Sequence, residues 1–465
     1  MSFFNRPDAV SSSSGRSEAA APGKGIKQGL RFPHIFPGWW TVLAGGLLAL
    51  WGYGYNAYGI SALFKPISQE FGFKRAATSV ASSIGRFEGG IEGPITGWVT
   101  DRFGARYVIL LGVFFMSLAL LLMRLVNSLW SFYLIWGVML GTGSNIALSL
   151  PIDTTISNWF VKKRGVALSI KWVFSGLSGV LVMPLIAWML TVKDWRFACT
   201  VGGVVMGVVG MPIAWFLFKP HRPEYYGLLP DGAIASDLQG ANQNNVIERG
   251  VQYASEVKEV EFTLRQALRT PPFWVMVAVQ AVNGLVGPVM SIHCIPFLTD
   301  MGVDPIKAAG MMSIWITASL PTRFIGGWAA DRLKINQLRY LTSLAYFLQA
   351  VGVAIFLKYQ SISIVYVWFI LYGFGQGLVT SVNPLIRGRY FGRKAYGSIS
   401  GISSLIMTPI GVAAPIYAGW IYDTTGSYVH AFGQFSVLLG VSTVLALFVL
   451  PPKPPAQIGD VTKIV

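Results

Sequence analysis

Long apolar segments alternate with short polar segments along almost the whole chain. Each apolar segment has about 20 or more residues, which is enough for a helix to cross a hydrocarbon core about 30 Å thick. The pattern therefore predicts an all-α integral membrane protein with twelve transmembrane helices. They lie near residues 39–64, 77–99, 105–124, 131–157, 165–190, 196–218, 272–298, 307–330, 338–357, 362–386, 396–421 and 429–450.

One polar hairpin occurs twice. The sequence GWVTDR at residues 97–102, after the second span, recurs as GWAADR at residues 327–332, after the eighth span. Aromatic pairs that lead into basic turns also follow the fourth span, at 159–160, and the tenth, at 390–391. Several features in the same order indicate duplication. Two pseudo-symmetric six-helix halves can rock about a site between them, which favours an alternating-access carrier.

The polar stretches divide the chain into five parts. We expect a disordered cytoplasmic tail over 1–36, a six-helix half over 37–218, a cytoplasmic linker over 219–271, a second half over 272–451 and a cytoplasmic tail over 452–465. The end of the linker, residues 261–268, has apolar and charged positions at helical spacing. This spacing predicts a short amphipathic helix before the seventh span.

Composition and charge agree with a membrane protein. Hydrophobic residues make up 53% of the chain and charged residues 12%, whereas a soluble protein has roughly a quarter charged residues. The net charge of +16 belongs mostly to loops on the side of both termini. The positive-inside rule therefore places both termini in the cytoplasm, and nucleic-acid binding is a poor explanation of the charge. We expect the spans to lie in the plasma (inner) membrane. A phosphate-binding P-loop, metal-ligand spacing and a nucleophile–base pair are all missing from the sequence, so we expect a protein that is not an enzyme and has no cofactor or metal.

The repeated hairpin resembles the signature of the major facilitator superfamily. In that family the loop between helices 2 and 3 has a Gly, an Asp-Arg pair, a second Gly and a further basic residue. Here these are Gly97, Asp101, Arg102, Gly104 and Arg106. The resemblance covers nearly all of residues 37–450.

The second copy of the hairpin keeps Asp331 and Arg332 but has Lys334 in place of the second Gly. The resemblance implies that both Asp-Arg pairs form interdomain charge relays that act in gating, each opposed to a neighbouring helix N-terminus or acid.

Finer features resemble the monocarboxylate transporter and oxalate:formate antiporter branch of that family. They are PGWW at 37–40, RPEYYGLLPDG at 222–232 and FTLR at 262–265. The resemblance implies that Arg323 pairs with a substrate carboxylate. Three features depart from the branch. Tyr58 replaces a lysine of the first helix, Ser319 replaces an aspartate of the eighth, and the eleventh helix has no basic residue between Tyr396 and Trp420.

Arg323 and Lys171 are cations that the pattern places inside the membrane. A charge at the bilayer centre costs about 2.5–3.5 kcal/mol on insertion scales, so each needs a partner, water or a function. A guanidinium fork matches a carboxylate, so an organic anion could neutralise Arg323. The alternative is a permanent ion pair with Glu88, Glu92 or Asp153. Lys171 either joins Arg323 in an anion site or pairs with a glutamate of the second span.

Glu92 is the first candidate for proton coupling, with Glu88 and Asp153 as further candidates. Glycines at 85, 89, 93 and 97 give the second span one smooth face for helix contact, and Glu92 falls beside it. Two acids one turn apart in a medium of low dielectric constant cannot both stay ionised without a nearby cation. The alternative is a static polar lock of these glutamates with Arg86 and Lys171.

Tyr58, Asn145 and Asn383 lie on spans that line the cavity in this family, and we expect them to contribute to a polar substrate pocket.

The leading hypothesis is a secondary transporter of an organic anion, with a monocarboxylate as the first candidate, that works by proton symport or anion exchange. Efflux of amphipathic compounds and a non-transporting receptor of the same fold are the alternatives. The expected partners are a small organic anion, protons and the lipid bilayer, and we expect a monomer.

Overall fold

The computed structural model describes residues 36–72, 75–233, 243–256 and 260–454, and the regular elements in these ranges are helices without strands. The helices, numbered in chain order, are α1 (Pro37–Tyr53), α2 (Ile60–Phe71), α3 (Arg75–Phe103), α4 (Ala105–Leu125), α5 (Leu129–Trp159), α6 (Arg164–Val192), α7 (Trp195–Leu217), α8 (Gln243–Ser255), α9 (Leu264–Leu268), α10 (Pro271–Asp300), α11 (Pro305–Arg332), α12 (Ile335–Tyr359), α13 (Ile362–Phe391), α14 (Tyr396–Thr425) and α15 (Val429–Ala446). The tail expected over 1–36 lies outside the described residues except for Phe36, as does the last tail from residue 455.

Within the described ranges, nine helices are long and apolar enough to cross a membrane: α4 to α7, α10 and α12 to α15. The predicted first, second and eighth spans correspond to α1 with α2, to α3 and to α11. A π-helical segment, Gly54–Gly59, joins α1 to α2. Charged residues lower the mean hydropathy of α3 and α11, which carry Glu92 and Arg323 in their interiors. The count of twelve spans therefore stays a prediction, while the all-helical class agrees with it.

The turn between α3 and α4 explains the second glycine of the hairpin signature. Gly104 has φ +87°, and a Cβ at this position would collide with the carbonyl oxygen of Pro220. Both the backbone conformation and the close approach therefore require glycine. In the second copy Lys334 has φ −64° and precedes a short 3₁₀-helix. A side chain is tolerated there because the second turn has a different backbone path.

The glycine face of α3 makes close contact with two helices. Gly85 and Gly89 lie against α5, and Gly97 lies so close to α14 that an added Cβ would collide with the carbonyl oxygen of Gly397. The smooth face predicted from the sequence is therefore used for backbone approach. We call α1 to α7 the N-terminal group and α10 to α15 the C-terminal group. The two groups meet through α3 with α14 and through α6 with α11.

The linker lies at the end of the bundle where α3 ends and α14 begins, and we call this end the linker face. The Asp231 carboxylate accepts hydrogen bonds from the amides of Val161, Lys162 and Lys163 at 2.8–3.1 Å, just before α6. The helix predicted at 261–268 is shorter than expected. It is α9, and Thr263 begins it with a capping box.

Candidate functional site

Arg323 is a buried cation without an acidic partner in the described part of the chain. It lies in α11 and is 7% exposed. Its Nη1 donates a hydrogen bond of 2.6 Å to the carbonyl oxygen of Trp172 in α6, and its Nε has no hydrogen-bond partner among the described residues. A buried charge held by one neutral acceptor is unfavourable. The guanidinium can therefore accept a further, negatively charged partner.

Two small residues produce this environment. Gly176 of α6 lies against the Arg323 guanidinium, and a Cβ there would come within 2.7 Å of Nη1. The Ser319 hydroxyl donates a hydrogen bond of 2.7 Å to the Ile316 carbonyl oxygen of its own helix. The position that holds an aspartate in the resembling branch thus supplies no charge. These two positions leave Arg323 both accommodated and unneutralised.

Lys171 is neutralised within the N-terminal group. Its Nζ lies 3.1 Å from Oδ1 of Asp153, and both side chains are buried. The same Nζ lies 3.5 Å from the ring centroid of Trp172, a cation–π contact. The hypothesis that Lys171 pairs with a glutamate of the second span is wrong, because Asp153 takes that place. The hypothesis that Arg323 pairs permanently with Asp153 is not supported by the geometry either.

Trp172 connects the two cations and was missed in the sequence. Its carbonyl oxygen binds Arg323, its ring lies under Lys171, and the same ring stacks on Tyr53 of α1 with centroids 6.2 Å apart. The indole Nε1 is buried and has no hydrogen-bond partner in the part of the chain that the structure describes. The only signal in the sequence was that a large aromatic residue directly follows an intramembrane lysine.

Glu88 and Glu92 form a separate acidic cluster between α3 and α5. The Thr142 hydroxyl donates a hydrogen bond of 2.6 Å to Glu92 and lies 3.4 Å from Glu88. Asn145 donates to the Gly85 carbonyl oxygen at 2.9 Å and lies 3.5 Å from Glu92. In the described ranges neither glutamate has a Lys or Arg within 4.0 Å. The alternative in which Glu88 and Glu92 form a static polar lock through ion pairs with Arg86 and Lys171 is therefore wrong.

A cavity of about 290 Å³ lies beside Glu92. Its walls come from α3, α5 and α14, so it spans the boundary between the N-terminal and C-terminal groups. Arg86 and Glu92 face it together with Asn145, Ser149 and Thr408. Ser149 is also a hydrogen-bond partner of Tyr53, whose ring stacks on Trp172. Ser149 and Tyr53 thus lie between the cavity beside Glu92 and the surroundings of Arg323.

The remaining predicted pocket residues lie in different places. Tyr58 is in the π-helical segment, and its ring packs against Gly179 of α6. Asn145 belongs to the acidic cluster, and Asn383 lies beside the buried Tyr346 of α12. The structure therefore brings Lys171 and Asp153 together next to Arg323. It does not gather Asn145 and Asn383 at the same position.

Arg387 is a further, partly buried cation that lies just beyond the predicted tenth span. It donates hydrogen bonds to Gln280 at 2.9 Å and to Ser400 at 3.1 Å, and it interacts electrostatically with Asp153. The predicted tenth span ended at residue 386, but α13 continues to Phe391. Because the predicted span ended five residues before α13 ends, Arg387 was not recognised as part of a helix.

Asp101 and Asp331 each bind the start of a helix in the opposite group. Asp101 accepts hydrogen bonds from the amides of Gly397 at 3.0 Å and Ser398 at 2.8 Å, at the start of α14. Asp331 accepts them from the amides of Gly165 at 2.7 Å and Val166 at 2.8 Å, at the start of α6. A carboxylate is favourable at a helix N-terminus.

The arginines of the two hairpins do not join these contacts. The guanidinium of Arg102 lies 5.3 Å from the ring centroid of Trp98, and that of Arg332 lies 3.9 Å from Trp328. Each arginine therefore packs on an aromatic residue of its own helix. The expected charge relay is wrong in this respect, because in both hairpins it is the aspartate, and not the arginine, that binds the opposite group.

Comparison with known proteins identifies the family. The model of the Major Facilitator Superfamily matches residues 46–415. The chain belongs to the major facilitator superfamily. Membership in this superfamily makes it a multi-pass membrane transporter and not an enzyme, in agreement with the helices that are apolar enough to cross a membrane.

Curated relatives within the superfamily are similar over most of their length. Monocarboxylate transporter 12 of Xenopus laevis is 25% identical over 407 residues, which cover 83% of this chain and 84% of the relative. The oxalate:formate antiporter of Oxalobacter formigenes is 24% identical over 400 residues, which cover 83% and 85%. The branch resemblance seen in the sequence agrees with these matches.

Solved structures of the superfamily share the fold. A human organic anion transporter superposes with a TM-score of 0.65 at 13% identity, covering 88% of this chain and 99% of that one. The E. coli fucose:proton symporter superposes with a TM-score of 0.62 at 14% identity, covering 88% and 98%. At these identities the likeness concerns the fold alone.

Proposed function

We propose that this chain is a secondary active transporter of a small organic anion, a monocarboxylate, by alternating access between two six-helix halves, 37–218 and 272–451. The observation that carries the proposal is the buried guanidinium of Arg323, which has no acidic partner in the described residues. The printed names of the relatives, a monocarboxylate transporter and an oxalate:formate antiporter, support the same substrate class.

The donors around Arg323 suit one carboxylate. Its Nε and the indole Nε1 of Trp172 are both buried and have no hydrogen-bond partner among the described residues, so each can donate to a carboxylate oxygen. Charge-assisted hydrogen bonds of this kind are the strong ones. Because Asp153 already neutralises Lys171, Arg323 is the cation bound to Trp172 that an anion can still neutralise. This balance favours a monocarboxylate over a dicarboxylate.

The contacts at the linker face support a state that is closed on that side. Asp101 and Asp331 join the two groups there through main-chain amides. We propose that this face and both termini are cytoplasmic, in a plasma (inner) membrane, because most positive charges lie there. Opening toward the cytoplasm would then break both sets of hydrogen bonds, and the two aspartates would act in gating.

Glu92 is the proposed proton-coupling residue. Glu88 and Glu92 share Thr142 as a neutral donor, and Glu92 faces a cavity that borders both groups. Two neighbouring carboxylates without a cation repel each other unless one of them holds a proton. Proton symport would use this site. Anion exchange would need only the Arg323 site.

The decisive test is Arg323→Lys in proteoliposomes with radiolabelled monocarboxylates. Lysine keeps the charge but lacks the planar fork, so we expect transport to fall at least tenfold, which corresponds to about 1.4 kcal/mol. The matched control is Arg339→Lys, whose guanidinium binds the Leu447 carbonyl oxygen and the Tyr340 hydroxyl away from this site. Wild-type kinetics in Arg323→Lys would reject the proposed site.

A thermal-shift screen of the purified protein against a carboxylate library would identify the substrate. Stabilisation of the wild type that is absent from Arg323→Lys is the expected result. Robust dye efflux without any carboxylate flux would instead favour a transporter of amphipathic compounds. Binding without trans-stimulated exchange would favour a receptor.

A further inference from the structure

Arg393 is a buried cation that connects three parts of the chain at the linker face. It lies in the loop between α13 and α14, in the C-terminal group, and it is 1% exposed. Its Nη1 donates hydrogen bonds to Oε1 of Glu224 in the linker at 2.8 Å and to the carbonyl oxygen of Asn158 in α5 at 3.1 Å. Its Nη2 lies 3.5 Å from the carbonyl oxygen of Gly250 in α8.

The ion pair of Arg393 and Glu224 depends on the closed arrangement of the two groups. Glu224 is 3% exposed, and a buried ion pair offsets its desolvation only when further hydrogen bonds hold it. The carbonyl oxygens of Asn158 and Gly250 accept these hydrogen bonds. Because Arg393 belongs to the C-terminal group and Asn158 to the N-terminal group, separation of the groups at this face would break the set.

The helix α8 covers this ion pair with one narrow face. Val246 and Ala254 are 5% and 4% exposed, and Gly250 between them is also buried, so the buried positions are four residues apart. A Cβ on Gly250 would lie 2.5 Å from Cγ and Oε1 of Glu224. The missing side chain therefore allows α8 to approach the ion pair closely.

The linker is fixed to a different group on each side of α8. Before α8, the Tyr226 ring stacks on Trp159 of the N-terminal group, with centroids 6.1 Å apart. After α8, the Phe262 amide donates a hydrogen bond of 3.0 Å to the carbonyl oxygen of Phe391 in the C-terminal group. The chain that carries α8 thus crosses from one group to the other.

The exposed edge of α8 contacts the N-terminal group more weakly. Nζ of Lys162, just before α6, lies 2.7 Å from Oε2 of Glu256 and 4.3 Å from the ring centroid of Tyr253. An exposed ion pair of this kind contributes little to stability. The buried contact with Arg393 is therefore the one that decides whether α8 stays in place.

We propose that α8 is an autoinhibitory strap that lies across both groups, covers the pair of Arg393 and Glu224 and holds the linker face closed. Interactions that exist only in the closed state raise its population. The linker face therefore opens only after α8 has left Arg393, and the strap slows exchange. The inference rests on the alternating access proposed above, but not on the identity of the solute.

Spin labels on both groups measure whether the linker face is closed. Lys163→Cys places one label in the N-terminal group and Asn336→Cys places the other in the C-terminal group, both at exposed positions. The native Cys199 and Cys294 are buried. Double electron–electron resonance of the labelled full-length protein in nanodiscs gives the distribution of distances between the labels, and we expect the wild type to occupy mainly the closed distance.

Gly250→Ala tests the strap without removing a charge. Alanine favours a helix more than glycine does, so α8 stays helical while its new Cβ pushes it away from Glu224. Arg393→Lys keeps the charge but lacks the planar fork that binds several acceptors at once. We expect both variants to raise the population at longer distances about threefold or more. Glu248→Ala, on the exposed face of α8, is the matched control and should keep the wild-type distribution.

Counterflow in proteoliposomes measures the inhibition, and Gly250→Ala and Arg393→Lys should each exchange solute about threefold faster than the wild type or more. Unchanged distances in both variants would overturn the strap. Longer distances without faster exchange would overturn its inhibitory role.

A third variant separates failure of the strap from failure of alternating access. Asp101→Ala/Asp331→Ala removes the hydrogen bonds to the starts of α14 and α6 and should also lengthen the distance between the labels. If only this variant lengthens the distance, the strap is wrong and alternating access stands. If no variant lengthens it, alternating access fails together with the strap.

Discussion

The ammonium group of Lys171 lies 3.1 Å from the carboxylate of Asp153, one residue along α6 from the carbonyl group that binds Arg323. The pair removes one positive charge from the neighbourhood of Arg323 and leaves the other. Because both partners are buried, the pair should affect the free energy of unfolding. Because it lies beside Arg323, it should also affect the number of charges on the preferred substrate.

Breaking the pair from one side should destabilise the protein. Asp153→Asn leaves the Lys171 ammonium buried and unpaired, and we expect a loss of about 3–5 kcal/mol. Lys171→Met/Asp153→Leu removes both charges and should recover most of that loss. Thermal unfolding of the purified variants measures the difference. Equal destabilisation by the single and double variants would mean that packing, and not charge, is responsible.

The same substitution should change the substrate preference. In Asp153→Asn two uncompensated cations, Lys171 and Arg323, lie next to Trp172, so a dicarboxylate such as malonate gains a second anchor. We expect malonate to raise the melting temperature of Asp153→Asn more than that of the wild type. An unchanged ratio of monocarboxylate to dicarboxylate shifts would show that Lys171 does not face the substrate.

Glu92→Gln should separate proton coupling from exchange. The amide can still accept a hydrogen bond from Thr142, but it cannot bind a proton as the carboxylate does. We expect net uptake to become insensitive to an imposed pH gradient while anion exchange persists. The control is Glu248→Gln, an exposed glutamate of α8. Unchanged pH dependence of uptake would remove Glu92 as the coupling residue.

Gly97→Ala should prevent closure of the linker face. Its Cβ would collide with the carbonyl oxygen of Gly397 in α14, and backbone contacts of this kind cannot relax by a rotamer change. We expect transport to fall at least tenfold and cysteine probes at the linker face to become more reactive. Gly433→Ala in α15 meets open space and is the matched control. Full activity of Gly97→Ala would show that closure does not need this contact.

The sequence predicted the helical class, the contact face of α3 and the depth of Arg323, because these depend on local pattern and on the repeated hairpin. It did not predict the pairing of Lys171 with Asp153, since the two residues lie on different helices and several acids were available. Arg387 was missed because apolar content marks where a membrane span ends, while α13 continues beyond it. Partner choice among buried charges depends on tertiary geometry.

Asp101 and Asp331 bind main-chain N–H groups, and every residue except proline supplies such a group. The hydrogen bonds to the starts of α6 and α14 therefore do not depend on a matching side chain at the donor positions. Two aspartates thus suffice for a contact that would need two matched side-chain pairs if it were made between side chains. This agrees with the recurrence of the aspartate in both hairpins although Lys334 replaces the second glycine of the first copy.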